Sequence, residues 1–153
     1  FVERSGLSDR VRMEGVTPDA NTWYRAADLL ACGSDVESMP RSVLDAMCLG
    51  VPVVATGVFG LVELLEDTTT GLLYEPNDLA SAVEALDRAL SMAPDELAAV
   101  GARGQALVRD RYDAAGYTAD VLALLRGLQA TPDGDPRAIL AAAGRAGPQS
   151  ASS

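Results

Sequence analysis

The chain has no lysine and no histidine, and all twelve of its basic residues are arginine. A Ser-His or Cys-His nucleophile pair is therefore excluded. So are a His-rich metal site, a Schiff-base lysine and a phosphate-clamping lysine. Acid–base chemistry falls to carboxylates, Tyr and Cys. Aromatic residues are scarce, at 5%, so the core is built from Leu, Val and Ala. That favours helices packed on a Val-rich parallel sheet over an aromatic sandwich. The two cysteines, Cys32 and Cys48, allow one disulfide by count. Their apolar surroundings suit two buried free thiols in a cytoplasmic protein. The net charge is −10 with no basic stripe, which disfavours nucleic acid and an anionic membrane surface as partners. No apolar run is long enough to span a bilayer.

What is present fits one α/β domain of 153 residues with a sizeable core. The opening residues, Phe1 to Leu7, are not a signal peptide and read as the tail of a helix already under way, with Gly6 as its stop. A short strand is expected at Val11–Met13, then capping chemistry at Thr17–Asp19 and a helix over Asn21–Ala27. Strands follow at Asp28–Ala31, Val51–Thr56 and Leu72–Tyr74. Between them lie a helix over Pro40–Leu49, with Ser38 as cap and Gly50 as stop, and a short one over Leu61–Glu66. Strands alternating with helices predict an open parallel sheet covered on both faces.

After Pro76 the pattern is helical. Asp78 caps a helix whose predicted core face is Leu79, Val83, Leu86 and Leu90. A second turns Leu97, Val100, Gly104 and Leu107 inward, and a third Tyr117, Val121, Leu124 and Leu128. Residues 1–130 form the predicted domain. Residues 131–153, rich in Ala, Gly, Pro and Ser, are expected to be a flexible tail with one helical turn near Arg137–Ala142.

The segment from Cys32 to Gly60 carries the chemistry. A helix that begins near Pro40 leaves unpaired N–H groups at its start, and its dipole adds positive character there. Met39, Arg41 and Ser42 offer N–H groups to a diphosphate, and Arg41 either adds a cation or points to solvent. Glu37, in the preceding loop, suits neutral hydroxyls better than phosphate. Asp45 lies roughly 12 Å further along if the helix is straight, too far for one acid–base pair. Taken alone, the two acids fit a helix-mouth carboxylate and a solvated helix residue better than a pair of ligand contacts. Thr56 and Glu63 read as ligand contacts or as ordinary polar positions. Trp23 and Tyr24 read as a stacking platform or as packing residues.

The wider string does more. Glu37-Ser38-Met39-Pro40, Leu44-Asp45-Ala46-Met47-Cys48-Leu49-Gly50, Pro52-Val53-Val54-Ala55-Thr56 and Gly60-Leu61-Val62-Glu63-Leu64 follow one another in order. Asp9 to Gly15 and Tyr24 to Asp28 precede them, and Thr70 to Leu73 and Pro76 to Ala80 come after. Over about Ser8 to Leu128 the chain resembles the C-terminal donor-binding domain of retaining GT-B glycosyltransferases of group 1, glycosyltransferase family 4. The resemblance implies a Rossmann-like half of a GT-B fold and a hexosyltransferase-type enzyme that takes a nucleotide-diphosphate sugar, with no bound metal and no cofactor. It implies that Glu37, the catalytic-site acid, meets the sugar hydroxyls. Ser38, Met39, Pro40, Arg41 and Ser42 line the sugar and diphosphate, Asp45 holds the ribose, and Met13, Gly15 and Val16 lie on the nucleobase side.

Two departures accompany it. Asp45 stands where the family has Glu, and the family's Arg and Lys diphosphate clamp has no counterpart here. The chain then reads as starting inside the C-terminal domain, without the N-terminal acceptor domain, and as inactive alone. The parent enzyme is expected in the cytoplasm, with peripheral membrane contact an open alternative. A truncated or degenerate non-catalytic binding module is the competing reading. A dinucleotide-binding or P-loop domain lacks its Gly-rich signature.

Overall fold

The structure is a computed structural model and describes residues 1–130 and 134–142. Its strands are β1 (Leu30–Cys32), β2 (Val53–Thr56) and β3 (Leu72–Tyr74). Its α-helices are α1 (Ala20–Ala26), α2 (Arg41–Cys48), α3 (Phe59–Leu64), α4 (Leu79–Ser91), α5 (Pro94–Arg111), α6 (Ala114–Ala130) and α7 (Pro136–Ala142). The three strands are parallel, in the order β1-β2-β3. Leu30 stands opposite Val53 on one side of β2, and Val54 opposite Leu72 on the other.

All four residues of β2 are buried, as a continuous apolar run in a parallel sheet demands. Alternate side chains leave opposite faces of a strand, and here they enter two cores. Val53 and Ala55 pack with Val43, Ala46 and Met47 of α2 and with Leu61 and Leu64 of α3. Val54 packs with Leu72, with Ala85 and Ala89 of α4, and with Val100 of α5. The sheet is thus covered on both faces. The α5 helix reaches both cores, through Val100 to one and Val108 to the other.

Where the sequence expectation fails, a competing interaction accounts for it. Val11–Met13 is not a strand. Arg10 and Val11 donate back to the Leu7 carbonyl at 2.9 and 2.8 Å, a turn that takes the place of ladder pairing, and Val11 and Met13 stay exposed. The opening residues make a short 3-10 turn, Glu3–Ser5, closed by Gly6 at φ 64°. Of the predicted core face of α4, Leu86 packs at the margin of the core, but the other three are turned outward: Leu79 is 80% and Leu90 73% exposed, and Val83 is exposed too. Burial of Ala85 and Ala89 brings the helix close to the sheet, and polar ties fix its roll. Asp78 caps it through Ala80 and Ser81 N–H, Ser81 Oγ accepts from Glu75 N–H at 3.0 Å, and Arg88 donates to Asp67 and to the Leu73 carbonyl.

Along α5 the expected Val100 and Gly104 are buried, with Leu97 and Leu107 packed at the margin. Tyr117 and Val121 of α6 are exposed, because this helix spends its contacts on α7, where Gly127 lies against the Ile139 side chain. Both cysteines are free. Cys32 is buried as expected, but Cys48 is exposed, because α2 turns Val43, Ala46 and Met47 inward. Of the expected tail, residues 134–135 and α7 are described, and residues 131–133 and 143–153 lie outside the described residues. Among the described residues no helix is long and apolar enough to cross a membrane.

The Asp67–Arg88 pair ties the turn before β3 to α4, with its two bonds at 3.2 and 3.1 Å. Partial burial alone would raise the Asp67 carboxyl. The Arg88 fork and the Leu73 N–H outweigh it and hold the carboxyl below its ordinary value. A lowered value means that the contribution is present above the unfolded-state value and is lost as pH falls through the folded one. Asp67→Asn should therefore cost up to about 1 kcal/mol at pH 7. That difference should close below about pH 4, as read by urea unfolding of both proteins across the range.

Candidate functional site

The carboxyl ends of β1 and β2 open into two loops, 33–40 and 57–58, that lead into α2 and α3. Open α/β sheets place their ligands at such an edge. Pro40 is the N-cap of α2 and is itself buried. Its carbonyl accepts from both Val43 and Leu44 N–H, at 3.1 and 3.0 Å. No side chain caps the helix, so the Arg41 and Ser42 amides face outward without intrahelical partners. Ser38, expected as the cap, is exposed and does not serve, because Pro40 takes that position and Ser38 is turned against α3. The far end of α2 is closed by Gly50 at φ 77°. Gly50 N–H reaches the Met47 carbonyl at 2.9 Å and Val51 N–H the Ala46 carbonyl at 3.0 Å, a Schellman closure that needs a left-handed residue. Gln105 of α5 then binds the Cys48 carbonyl at 2.8 Å.

Gly60 sets the approach of the two loops. Its N–H donates to the Glu37 carbonyl at 3.0 Å, and a Cβ on it would lie 1.7 Å from the Ser38 carbonyl oxygen. Only glycine permits that approach. Next to it Phe59 is exposed and holds φ at 36°, a left-handed conformation that costs a bulky residue about 1–2 kcal/mol.

Glu37 is therefore positioned through its backbone. Its side chain is half-buried, and so is that of Asp45. Arg41 and Asp45 stand one turn apart on α2, with Arg41 exposed. Among the described residues, Glu37, Arg41 and Asp45 have no ion-pair partner. Met39 is exposed beside the helix start. Met13, Gly15 and Val16 lie in the exposed segment before α1, and α1 packs beside α2. In that segment Arg12 pairs with Glu14 and covers the Trp23 ring at 5.6 Å. Trp23 stays half-exposed, whereas Tyr24 joins the core.

Thr56 is buried at the end of β2, with its Oγ1 3.0 Å from the Tyr74 hydroxyl and 3.4 Å from the Cys32 carbonyl. Its polar atom is thus engaged inside the fold. Glu63 is exposed on α3. Sequence reasoning missed Tyr74 and Phe59. An aromatic residue at the carboxyl end of a strand was the available signal for Tyr74. For Phe59 it was an apolar residue just before a glycine in a ligand-side loop.

A helix start without a side-chain cap, at the carboxyl edge of a parallel sheet, is a place where open α/β proteins bind anionic ligands. The family model described as "Glycosyl transferases group 1" matches residues 1–92, and the chain belongs to that family. It is 41% identical over 91 residues to a D-inositol 3-phosphate glycosyltransferase of Paenarthrobacter aurescens, covering 56% of this chain and 22% of that protein. It is 37% identical over 107 residues to the lipopolysaccharide core biosynthesis mannosyltransferase LpsB of Rhizobium meliloti, covering 69% of this chain and 30% of that protein.

Among solved structures, Anabaena Alr3699/HepE in complex with UDP-glucose superposes with a TM-score of 0.76 at 27% identity, over 83% of this chain and 35% of that one. The three-stranded sheet with its flanking helices is thus part of a GT-B glycosyltransferase fold. The chain spans about a fifth to a third of the length of these relatives.

Gly60→Ala should separate the two loops. The expected cost is about 1–3 kcal/mol from overpacking, read by urea unfolding. Gly15→Ala, with open space around it, should change stability by less than about 0.5 kcal/mol.

Proposed function

We propose that this chain is the donor-binding half of a retaining hexosyltransferase of glycosyltransferase family 4, which transfers sugar from a nucleotide-diphosphate sugar to an acceptor. The observation that carries the reading is the uncapped start of α2 with a half-buried carboxylate on either side, Glu37 before it and Asp45 within it. The UDP-glucose complex of the Anabaena relative supports it.

In this reading the diphosphate sits on the Arg41 and Ser42 amides, where the helix dipole and the Arg41 guanidinium meet its charge without a metal ion. The same groups stabilise the charge that develops on the leaving diphosphate. Glu37 accepts from the sugar hydroxyls, with Ser38, Met39 and Pro40 shaping that end of the site. Asp45 accepts from the ribose hydroxyls. It is one C–C bond shorter than glutamate, ~1.5 Å, so its grip is looser or water-bridged. Met13, Gly15 and Val16 form the nucleobase side. The 153 residues alone bind donor and transfer nothing, because the acceptor is held by a separate domain.

Calorimetry of the 153-residue chain with UDP-, GDP- and ADP-sugars tests this. One of them should bind. Glu37→Ala should weaken it about tenfold or more while leaving the free nucleoside diphosphate nearly unaffected. Asp45→Ala should weaken both. Binding of none of the three, or a Glu37→Ala variant that binds as well as the parent, contradicts the reading and favours a non-catalytic module.

A further inference from the structure

Tyr74 ends β3 and plays no part in the reading above. Its ring packs against the core formed by Val54, Leu72, Ala85, Ala89 and Val100, while its polar atoms serve the two ligand-side loops. Its carbonyl accepts from Gly57 N–H at 2.8 Å, which fixes the loop after β2. Its hydroxyl lies 3.0 Å from Thr56 Oγ1 and 3.4 Å from the Cys32 carbonyl. A Cβ on Gly33 would come within 3.3 Å of that hydroxyl oxygen. Each hydroxyl has one proton. Thr56 Oγ1 also lies 3.4 Å from the Cys32 carbonyl, so either hydroxyl can donate to that carbonyl while accepting from the other, and the Tyr74 hydroxyl is a link in both arrangements.

Cys32 is the last residue of β1, and the loop that follows carries Glu37. That loop is held at its far end by Gly60 N–H on the Glu37 carbonyl. At its near end, beyond the pairing of Cys32 with Ala55, the side-chain ties are the Tyr74 and Thr56 hydroxyls on the Cys32 carbonyl. One residue on the far strand of the sheet therefore touches both loops of the site.

We propose that Tyr74 is a positioning residue for the donor site. Its hydroxyl sets the carboxyl end of β1, and so the placement of Glu37 against Gly60, while its carbonyl sets the loop that leads to Gly60. The identity of the ligand rests on the donor reading; the placement of the loop does not.

The test uses Tyr74→Phe in the 153-residue chain, which keeps the ring and removes only the hydroxyl. Amide hydrogen exchange is followed at Gly60, a site the hydroxyl does not touch, and at the β2 amides as a reference for global stability. Gly60 should lose about tenfold or more of its protection while β2 changes little. Thr56→Val, which leaves the bond from Tyr74 to Cys32 in place, should have a smaller effect at Gly60. In parallel, calorimetry with UDP-, GDP- and ADP-sugars should show about three- to tenfold weaker binding of whichever one the parent binds.

Unchanged protection at Gly60, or an equal loss at Gly60 and throughout β2, overturns the proposal. So does selective loss at Gly60 with undiminished affinity for a sugar nucleotide that the parent binds. If the parent binds none of the three probes, the donor reading fails by itself, and selective loss at Gly60 still supports Tyr74 as the residue that positions the loop.

Discussion

Burial of β2 on both faces is the constraint on which the rest of the structure depends. Val53 and Val54 are fully buried and point into different cores, and each contributes about 1.5–3 kcal/mol of apolar burial. Among the described residues, β1 and β3 pair only with β2. One strand therefore brings the three carboxyl ends level and lets their loops leave side by side. The two helices that frame the site, α2 and α3, are packed on the face that Val53 and Ala55 supply.

From that platform the site is built largely from backbone. Glu37 is located by its carbonyl, through the 3.0 Å bond from Gly60, and its carboxylate is left without an ion-pair partner among the described residues. Pro40 closes the first turn of α2 with its carbonyl and supplies no side-chain cap, so the helix start keeps its amides for a ligand. A Ser or Asp in the Pro40 position would satisfy those amides internally. The capping residue that ordinary helix stability favours is absent at the place where the proposed function seats a diphosphate. Phe59, held at positive φ beside Gly60, shows the same preference for site geometry over local comfort.

Much of this was legible in the residues. The apolar run Val51–Thr56 announced a doubly buried strand, Gly50 a helix stop, Asp78 a cap, and Val100 with Gly104 an inward helix face. The carboxylates were visible too, although their meaning came from the surrounding string and not from their spacing. Other features depended on partners that a linear pattern does not display. Leu79, Val83 and Leu90 have faultless helical spacing, yet the Arg88–Asp67 pair and the small faces of Ala85 and Ala89 turn them outward. Val11 and Met13 alternate as a strand would, but the amides at Arg10 and Val11 are taken up by the Leu7 carbonyl and not by a neighbouring strand. Tyr74 acquires its role only when β3 lies two strands away from Cys32, a juxtaposition created by strand order.

The central claim is that ligand binding belongs to the loops at the carboxyl edge of β1 and β2 and to the start of α2. Its most direct measurement is a nuclear magnetic resonance titration of the isotopically labelled chain with UDP-glucose, GDP-mannose and ADP-glucose, following every backbone amide. The account predicts that one of them shifts Arg41, Ser42, Glu37 and Gly60 together while the exposed face of α4 around Val83 stays still. Shifts confined to α4, or amides at Arg41 and Ser42 that do not respond to any of the three, would contradict it.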